Sequence, residues 1–390
     1  MMRNDPIIVT GIGAITSIGA NVESTWEGLL TGRSGVKRIR SFDVSRHASQ
    51  VGCEIENIES YFLHHQPAGR ATSLLLLATE DALHDARMTD SEGKRIGICV
   101  GTTMGEIAPF EEVLAGNRPS GYGGTRVIGQ WVADELNLTG PRWTITNACA
   151  AGNIAIMRAM EELWAGRADV MVAAGVDAMS WIAYTGFGSI RALSSDVCRP
   201  FDRNRKGLLL GEGAGVLILE RYSTVVQRGG PVRASILGYG ANCDAHHITQ
   251  PDPGAYGSIR AMNAALEMAG VNSGQIGYVS AHGTGTLAND RMESKALNDV
   301  FGGAIRTSSI KGHIGHTLGA ASAIEAAMCV KVLETGLLPP TLNLISKDPD
   351  CQVDVIAGEP VQADVDYVLS NAYAFGGINT SVIFGQAREM

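Results

Sequence analysis

Cys149 stands in Trp143-Thr-Ile-Thr-Asn-Ala-Cys-Ala-Ala-Gly-Asn-Ile-Ala-Ile-Met157, where a β-branched run, Thr144 to Thr146, gives way to a helix-forming apolar run. That run continues to Trp164 and stops at Gly166. The spacing predicts a thiol at a strand-to-helix elbow, on the first turn of a helix apolar nearly all round and therefore buried. Unpaired N–H groups and the positive end of the helix dipole favour a thiolate there, and the thiolate is the nucleophile. Ala148, Ala150, Ala151 and Gly152 leave room for backbone and substrate to come close. A small buried core cysteine fits the same stretch, which is the usual fate of a free Cys.

Histidines downstream strengthen the first reading. His282 stands where an apolar strand ends, in Ala281-His-Gly-Thr-Gly-Thr286. The C-terminal end of an α/β strand is a place for chemistry. Thr284 and Thr286 offer hydroxyls to a ligand, and the bland alternative is a histidine that satisfies backbone groups in a turn. Asp290-Arg-Met-Glu293 reads mainly as a helix cap with an acid three residues on, with a supporting role behind the site as its second meaning. Lys311-Gly-His-Ile-Gly-His316 precedes an Ala-rich helix, whose dipole keeps the ring of His316 neutral. A neutral imidazole can donate to a developing oxyanion or enolate without titrating near neutral pH. Lys311 would lend positive charge or fix the loop. Zinc ligation by His282, His313 and His316 is a weaker alternative, since no acidic or thiol pattern accompanies them.

These residues need a scaffold that brings distant segments together. Pro6 to Thr16 reads as a strand running into a glycine turn, and Asn21 to Leu30 as a capped helix. Gly11-x-Gly13 suggests a dinucleotide site, but Thr16 occupies the third glycine position and no clear acidic strand end follows. Residues 33–68 read as surface loops, Ala71 to Ala86 as a helix and Arg95 to Val100 as a buried strand. Pro109 to Asn117 and Val127 to Leu136 are helical, with a Gly-rich loop from Pro119 to Thr125. Strands follow at Asp169–Gly175 and Gly213–Leu219. From Val232 the alternation begins again, with strands at Ala234–Tyr239, Gly277–Ala281, Asp366–Ser370 and Thr380–Phe384. Helices are expected at Ser258–Ala269, Arg291–Val300 and Thr317–Leu333. The pattern implies an α/β body of two similar packed halves, residues 1–230 with the cysteine and 231–390 with the histidines.

The chain has 390 residues, 45% hydrophobic and 18% charged, an ordinary balance for a soluble globular enzyme. No window reaches the apolar length of a membrane span, and the opening Met-Met-Arg-Asn-Asp-Pro has no apolar leader core. Seven cysteines without CxxC spacing suit reduced thiols in the cytoplasm. A net charge of −9 argues against a general nucleic-acid binder.

Taken in order, Asn147-Ala-Cys-Ala-Ala-Gly152, Ala281 to Thr286, Lys311 to His316 and Asn371-Ala-Tyr-Ala-Phe-Gly-Gly-Ile-Asn379 resemble the signatures of β-ketoacyl-acyl-carrier-protein synthases of the Cys-His-His type. Arg199 to Gly207, Gly211 to Gly215 and Asp244-Ala-His-His-Ile-Thr249 match as well, so the resemblance covers essentially the whole chain. It implies a thiolase-like fold, two related halves in five αβαβα layers. It also implies a homodimer, or a heterodimer with a chain-length partner. Cys149 would take an acyl group from the phosphopantetheine of acyl carrier protein. Its N–H and that of Phe375 would hold the thioester oxyanion. His282 and His316 would assist decarboxylation of a malonyl thioester and stabilise the enolate, with Lys311 polarising the site and Glu293 and Asp290 behind it. Thr284 and Thr286 would line the phosphopantetheine channel. No metal or redox cofactor is implied.

An acidic carrier protein needs a basic rim on this acidic chain. Arg203, Arg205 and Lys206, with Arg70, form the best cluster in the sequence, and a plain solvated charge run is the alternative. The closing loop departs from the family at Ala372, Tyr373, Ala374 and Ile378, and the nucleophile is flanked by Asn147 and Ala151 where Thr is frequent. These changes leave fatty-acid elongation and polyketide or polyene synthesis equally open. A chain-length subunit should lack Cys149, and a thiolase should carry a late thiol where Phe375 stands. A nucleotide-dependent oxidoreductase would need an acid partner for the Gly11 turn.

Overall fold

The computed structural model describes residues 5–56, 58, 69–88 and 93–387. In chain order its strands are β1 (Ile7–Thr16), β2 (Lys37–Arg38), β3 (Val51–Gly52), β4 (Ile96–Gly101), β5 (Arg142–Ile145), β6 (Val170–Asp177), β7 (Gly213–Arg221) and β8 (Ala234–Cys243). They continue with β9 (Ile276–Ser280), β10 (Arg306–Ser308), β11 (Leu337–Leu338), β12 (Asp354–Val355), β13 (Val361–Gln362), β14 (Tyr367–Ala374) and β15 (Ile378–Gln386). The helices are α1 (Val22–Leu30), α2 (Arg70–Asp85), α3 (Ala108–Leu114), α4 (Thr125–Glu135), α5 (Ala151–Trp164) and α6 (Trp181–Ser189). The rest are α7 (Tyr222–Arg228), α8 (Tyr256–Ala269), α9 (Leu287–Phe301), α10 (Lys311–Ile314) and α11 (Ala321–Thr335). None of these helices is long and apolar enough to cross a membrane.

Eleven strands form one mixed sheet in the order β12-β10-β9-β14-β15-β8-β1-β7-β6-β4-β5. Beyond β1, β7 runs antiparallel to both β1 and β6, and β6, β4 and β5 run parallel. Beyond β8 the pattern repeats: β15 is antiparallel to both β8 and β14, and β14, β9 and β10 run parallel. The two wings join where Ile7–Val9 pair with Ala234–Ile236.

Strand periodicity decides which side chains meet which layer. Leu217 and Leu219 of β7 point inward to the same cluster as Ala155 and Ile156 of α5, Ile324 and Met328 of α11, and Val382 and Phe384 of β15. Ala214, Val216 and Ile218 point outward to Leu75 of α2 and Val132 of α4. On the other wing Leu369 and Ile383 point outward to Met262 of α8 and Leu297 of α9. The result is five layers, helix–sheet–helix–sheet–helix, with α5 and α11 in the middle. Truncating one of these buried leucines to Ala would cost about 2–5 kcal/mol.

The glycine turn expected after Pro6 is not a turn. β1 continues through Gly11 and Gly13, with a register shift against β7 between Val9 and Gly11, and a Cβ at either glycine would strike a backbone carbonyl of α2, at Ala82 and Ala78 respectively. These glycines admit a helix against a strand and form no phosphate cradle, which removes the basis of the nucleotide-dependent oxidoreductase reading. The segment expected as surface loops also differs: Ile39, Val44, Cys53 and Ile55 are buried, and β2 pairs with β3. Its residues 57 and 59–68 lie outside the described residues. Three helices were not expected, of which α10 is a single turn at Lys311–Ile314. α6 contains Gly186 and Gly188, which disfavour helix, but Ser180 caps it through Ala183 N–H and the carboxylate of Glu111 accepts from Ile182 N–H. α7 is short and ends at Gly229 in the left-handed region.

Candidate active site

β5 ends at Ile145, and a 3-10 turn, Ala148–Ala150, leads directly into α5. Ala148 lies in the left-handed region at φ 46°, a conformation that costs a non-glycine residue on the order of 1–3 kcal/mol and forms the expected elbow. Gly101 of β4 and Gly152 of α5 keep this elbow close-packed. A Cβ on Gly101 would strike Ala151 C and O, and one on Gly152 would meet Ser322 Oγ and Ala323 N at the start of α11. Ser322 Oγ also accepts from Asn153 N–H at 2.9 Å. Cys149 is thus wedged between a strand and the central helix pair.

Cys149, His282 and His316 line one cavity of about 380 Å³, a volume within the usual range for ligand sites. Thr284, Thr286, Lys206 and Phe375 line it too. His282 follows β9, and His316 lies between α10 and the 3-10 turn Leu318–Ala320, held by its own N–H on Leu209 O at 2.6 Å. The two imidazoles meet edge to face, with His282 also edge-on to Tyr373 at 5.7 Å. In both histidines Nδ1 is buried without a hydrogen-bond partner among the described residues. Nε2 is therefore the ring atom that can serve the cavity.

Burial holds the pKa of His282 well below the ordinary imidazole value, helped by the charges of Lys311 and His316. Burial and Lys311 do the same to His316. Both rings are neutral near pH 7; for His316 this was expected, although desolvation is the chief cause and not a helix dipole. The expectation for Cys149 needs correcting. Burial pushes its thiol up to about 12, with Asp177 and Glu325 adding to the rise, against an opposing pull from Lys311. Withdrawal of a charged sulfur from water outweighs the turn's N–H groups, so the resting residue is a thiol.

Lys311 is buried and its ammonium pairs with Glu325 of α11. Burial lifts the Glu325 carboxyl to about 7 against the pull of that lysine. Glu293 stands behind His282: Oε1 accepts from His282 N–H at 2.8 Å and Oε2 from Gly283 N–H at 2.7 Å. Asp290 was expected to cap a helix, and the structure assigns that cap elsewhere. α9 begins four residues earlier than expected and its cap is Thr286. Asp290 lies inside the first turn and accepts from Phe201 N–H and Gly285 N–H. Thr284 and Thr286 sit side by side, Oγ1 to Oγ1 2.9 Å. Phe375 is partly exposed at the hairpin between β14 and β15, stacked on Phe187 of α6 at 5.5 Å. His313, the third histidine weighed for zinc, faces the carbonyls of Arg33 and Pro340 and does not line the cavity.

The basic cluster divides. Arg203 and Lys206 are exposed, and Lys206 reaches the cavity rim. Arg205 turns inward, its side chain 0% exposed, and bridges Asp348 at 2.6 Å and Asp290 at 3.4 Å. Two buried carboxylates draw the guanidinium in, so it is no part of a docking rim. Arg70 is likewise engaged, with Glu212 and the carbonyl of Ile55.

Three contributors were missed in the sequence. Arg191, exposed at the rim, carries no pattern of its own. Asp177 ends β6, the same strand-end signal that marked His282, and accepts from Thr102 Oγ1 and the N–H groups of Thr103, Met104 and Gly319 at 2.7–2.8 Å. It ties the loop after β4 to the turn beyond His316. Glu325 was visible as an acid within the apolar stretch Ala321–Val330, a sign that a buried partner exists.

Comparison with known proteins shows the family. The N-terminal domain model of beta-ketoacyl synthases matches residues 4–225, and the C-terminal domain model residues 233–345. Nodulation protein E of Rhizobium meliloti (strain 1021) is 35% identical, covering 97% of this chain and 99% of its own. 3-Oxoacyl-[acyl-carrier-protein] synthase 2 of Staphylococcus aureus (strain N315) is 34% identical, covering 98% and 99%. Among solved structures, the ishigamide ketosynthase/chain length factor matches with a TM-score of 0.92 at 37% identity, over 98% of this chain and 100% of that one. On this coverage, and with a cysteine elbow and two neutral histidines in one cavity, the chain belongs to the β-ketoacyl synthase family of thiolase-like condensing acyltransferases.

Proposed function

We propose that this chain catalyses decarboxylative Claisen condensation of an acyl group on Cys149 with malonyl-acyl-carrier-protein. The observation that carries the reading is the convergence of Cys149, His282 and His316 on one cavity that reaches the surface. In the first half-reaction the Cys149 sulfur attacks the carrier-protein thioester, and the thiol proton ends on the departing phosphopantetheine sulfur. Because burial raises the thiol's pKa, the proton leaves as the thioester is attacked. N–H groups of Cys149 and Phe375 hold the oxyanion.

In the second half-reaction the malonyl thioester loses carbon dioxide, and Nε2–H of His282 and of His316 donates to the enolate oxygen. The enolate carbon then attacks the acyl-Cys149 carbonyl, and the cysteine sulfur leaves and regains a proton. The carrier protein departs with a β-ketoacyl chain two carbons longer. Lys311 keeps both imidazoles uncharged and the enolate favoured, and Glu293 fixes the backbone under His282. Thr284 and Thr286 line the phosphopantetheine channel. As written, these steps use no metal or redox cofactor.

The carrier protein docks on the rim through Arg203 and Lys206. The same proposal divides the chain near residue 230, places it in the cytoplasm, and pairs it with a second chain of the same fold. That partner is either an identical copy or a chain-length subunit. The second alternative draws support from the ketosynthase/chain length factor match. The pathway is fatty-acid elongation or polyketide and polyene synthesis. Intact-mass measurement after incubation with a series of acyl carrier-protein thioesters tests the whole scheme. It should show one acyl adduct, on Cys149, that malonyl-acyl-carrier-protein discharges as a β-ketoacyl product. No adduct with any chain length would reject it.

A further inference from the structure

Arg205 sits next to Lys206 in sequence but behind the cavity wall, and the mechanism above gives it no task. Its guanidinium is enclosed by acceptors from three segments. Nη1 donates to Asp348 Oδ2 at 2.6 Å and to Asp202 O at 2.8 Å. Nε and Nη2 reach the carbonyls of Thr286 and Leu287, each at 3.4 Å, and Nε also lies 3.4 Å from Asp290 Oδ2. Asp290 in turn accepts from Phe201 N–H at 2.8 Å and from Gly285 N–H at 3.2 Å. Residues 206–208 form one wall of the cavity, and Thr284, Thr286 and Leu287 form part of another. Arg205 precedes the first wall in sequence and reaches the second through the carbonyls of Thr286 and Leu287. A planar fork with five N–H donors suits such a divergent set of acceptors, which a single ammonium cannot reach together.

We propose that Arg205 is a positioning residue that sets the spacing between the 206–208 wall and the Thr284–Leu287 turn, and with it the fit of the substrate's pantetheine arm. The inference rests on the proposed reading that a pantetheine thioester occupies this cavity. Thr284 and Thr286 touch the arm and not the reacting carbons, so their displacement weakens binding equally in ground state and transition state. Such a change raises KM and leaves kcat nearly unaltered.

The experiment compares wild type with Arg205→Lys, using a short acyl-pantetheine thioester with malonyl-pantetheine and, separately, alkylation of Cys149 by iodoacetamide. Arg205→Lys should raise KM for the pantetheine thioesters about tenfold with kcat nearly constant, and the alkylation rate should match wild type. If Arg205→Lys does not fold, Asp348→Asn serves, since it removes one charged acceptor of the fork and should shift KM the same way by less. A lowered melting temperature with unchanged KM in the folded variant would make Arg205 merely structural and overturn the proposal. So would equal losses in kcat and in alkylation. Wild type that fails to turn over any pantetheine thioester would instead reject the proposed function.

Discussion

The imidazole of His282 meets that of His316 edge to face, ring centroids 5.2 Å apart and planes 82° apart. Two neutral rings at right angles can aim two N–H groups at one point without repelling each other. Each should therefore be needed for the enolate step and less so for loading Cys149. His282→Ala and His316→Ala should each lower malonyl decarboxylation and condensation on the order of a hundred- to a thousandfold. Acylation of Cys149, followed by intact mass, should persist in both. Normal condensation in both variants would rule out the Cys-His-His scheme.

Cys149→Ala should abolish acyl transfer and leave the fold intact, because Ala suits the same small, close-packed elbow. Mass spectrometry of the wild-type adduct supplies the check. Cys198, whose Sγ donates to Thr284 O at 3.2 Å, and Cys329 in α11 are both buried and should stay unlabelled. A stable acyl group on another cysteine, with Cys149 free, would remove the assignment.

Charge reversal at Arg203 and Lys206 should slow association with an acidic carrier protein and flatten its salt dependence. Both side chains are exposed, so the substitution leaves the buried Arg205 cluster untouched. With Arg203 reversed alone, turnover of short pantetheine thioesters should be as in wild type, since Lys206 lines the cavity and Arg203 does not. Equal losses on both substrates would mean that the segment serves stability and not docking.

Glu293 predicts a pH effect. Burial pushes its folded pKa up to about 7 from the ordinary 4.5, against the two N–H groups it accepts. The folded protein therefore keeps a proton that the unfolded chain has already released. The stabilisation is complete below about pH 4.5 and is lost as pH rises to about 7, with a slope of at most about 1.4 kcal/mol per pH unit. Glu293→Gln should flatten this decline, and Glu325, titrating in the same window, should preserve the remainder. Urea midpoints of both proteins across that range decide it. Parallel curves would place the titration elsewhere.

Ala374 ends β14, paired with Ile378, and immediately precedes the Phe375–Gly377 hairpin. Gly376 and Gly377 take φ values of 87° and 78°, so the hairpin's freedom lies after Phe375, while the Cβ of Ala374 stiffens the residue before it. Ala374→Gly should broaden the range of acyl chains accepted, at a cost of about 0.4–1 kcal/mol in stability. Acylation rate against chain length is the measurement. Superimposable profiles for the two proteins would reject a gating role.

Much of this site was legible because it sits where chain patterns change. Cys149 and His282 both mark a strand giving way to a turn, and apolar runs with glycine stops located β4, β6, β7 and α2 within a few residues. What stayed hidden depends on partners remote in sequence. Gly11 and Gly13 read as a turn because their reason, the carbonyls of Ala78 and Ala82, lies some seventy residues away. Arg205 read as a surface charge because Asp290 and Asp348 are brought to it by folding alone. The thiol of Cys149 read as acidic because a local dipole is visible in sequence, whereas desolvation belongs to the assembled core. α6 was missed because its glycines disfavour helix and Glu111, which holds its first turn, comes from another helix.

The interleaving of α5 and α11 has a consequence for how the chain comes apart. α11 follows the second wing's strand β10 in sequence, yet its Ile324 and Met328 share one apolar cluster with Leu217 and Leu219 of the first wing. Each wing has an outer cluster of its own, but neither closes the inner one alone. A chain built this way should melt in a single transition, and either part expressed alone should expose a helix face that its absent neighbour normally covers. Whatever ancestral independence the repeated strand pattern records, the two parts now fold as one body. A chain that ends before α11 should therefore lack a competent active site, because the Cys149 elbow packs against Ser322 and Ala323 at the start of that helix.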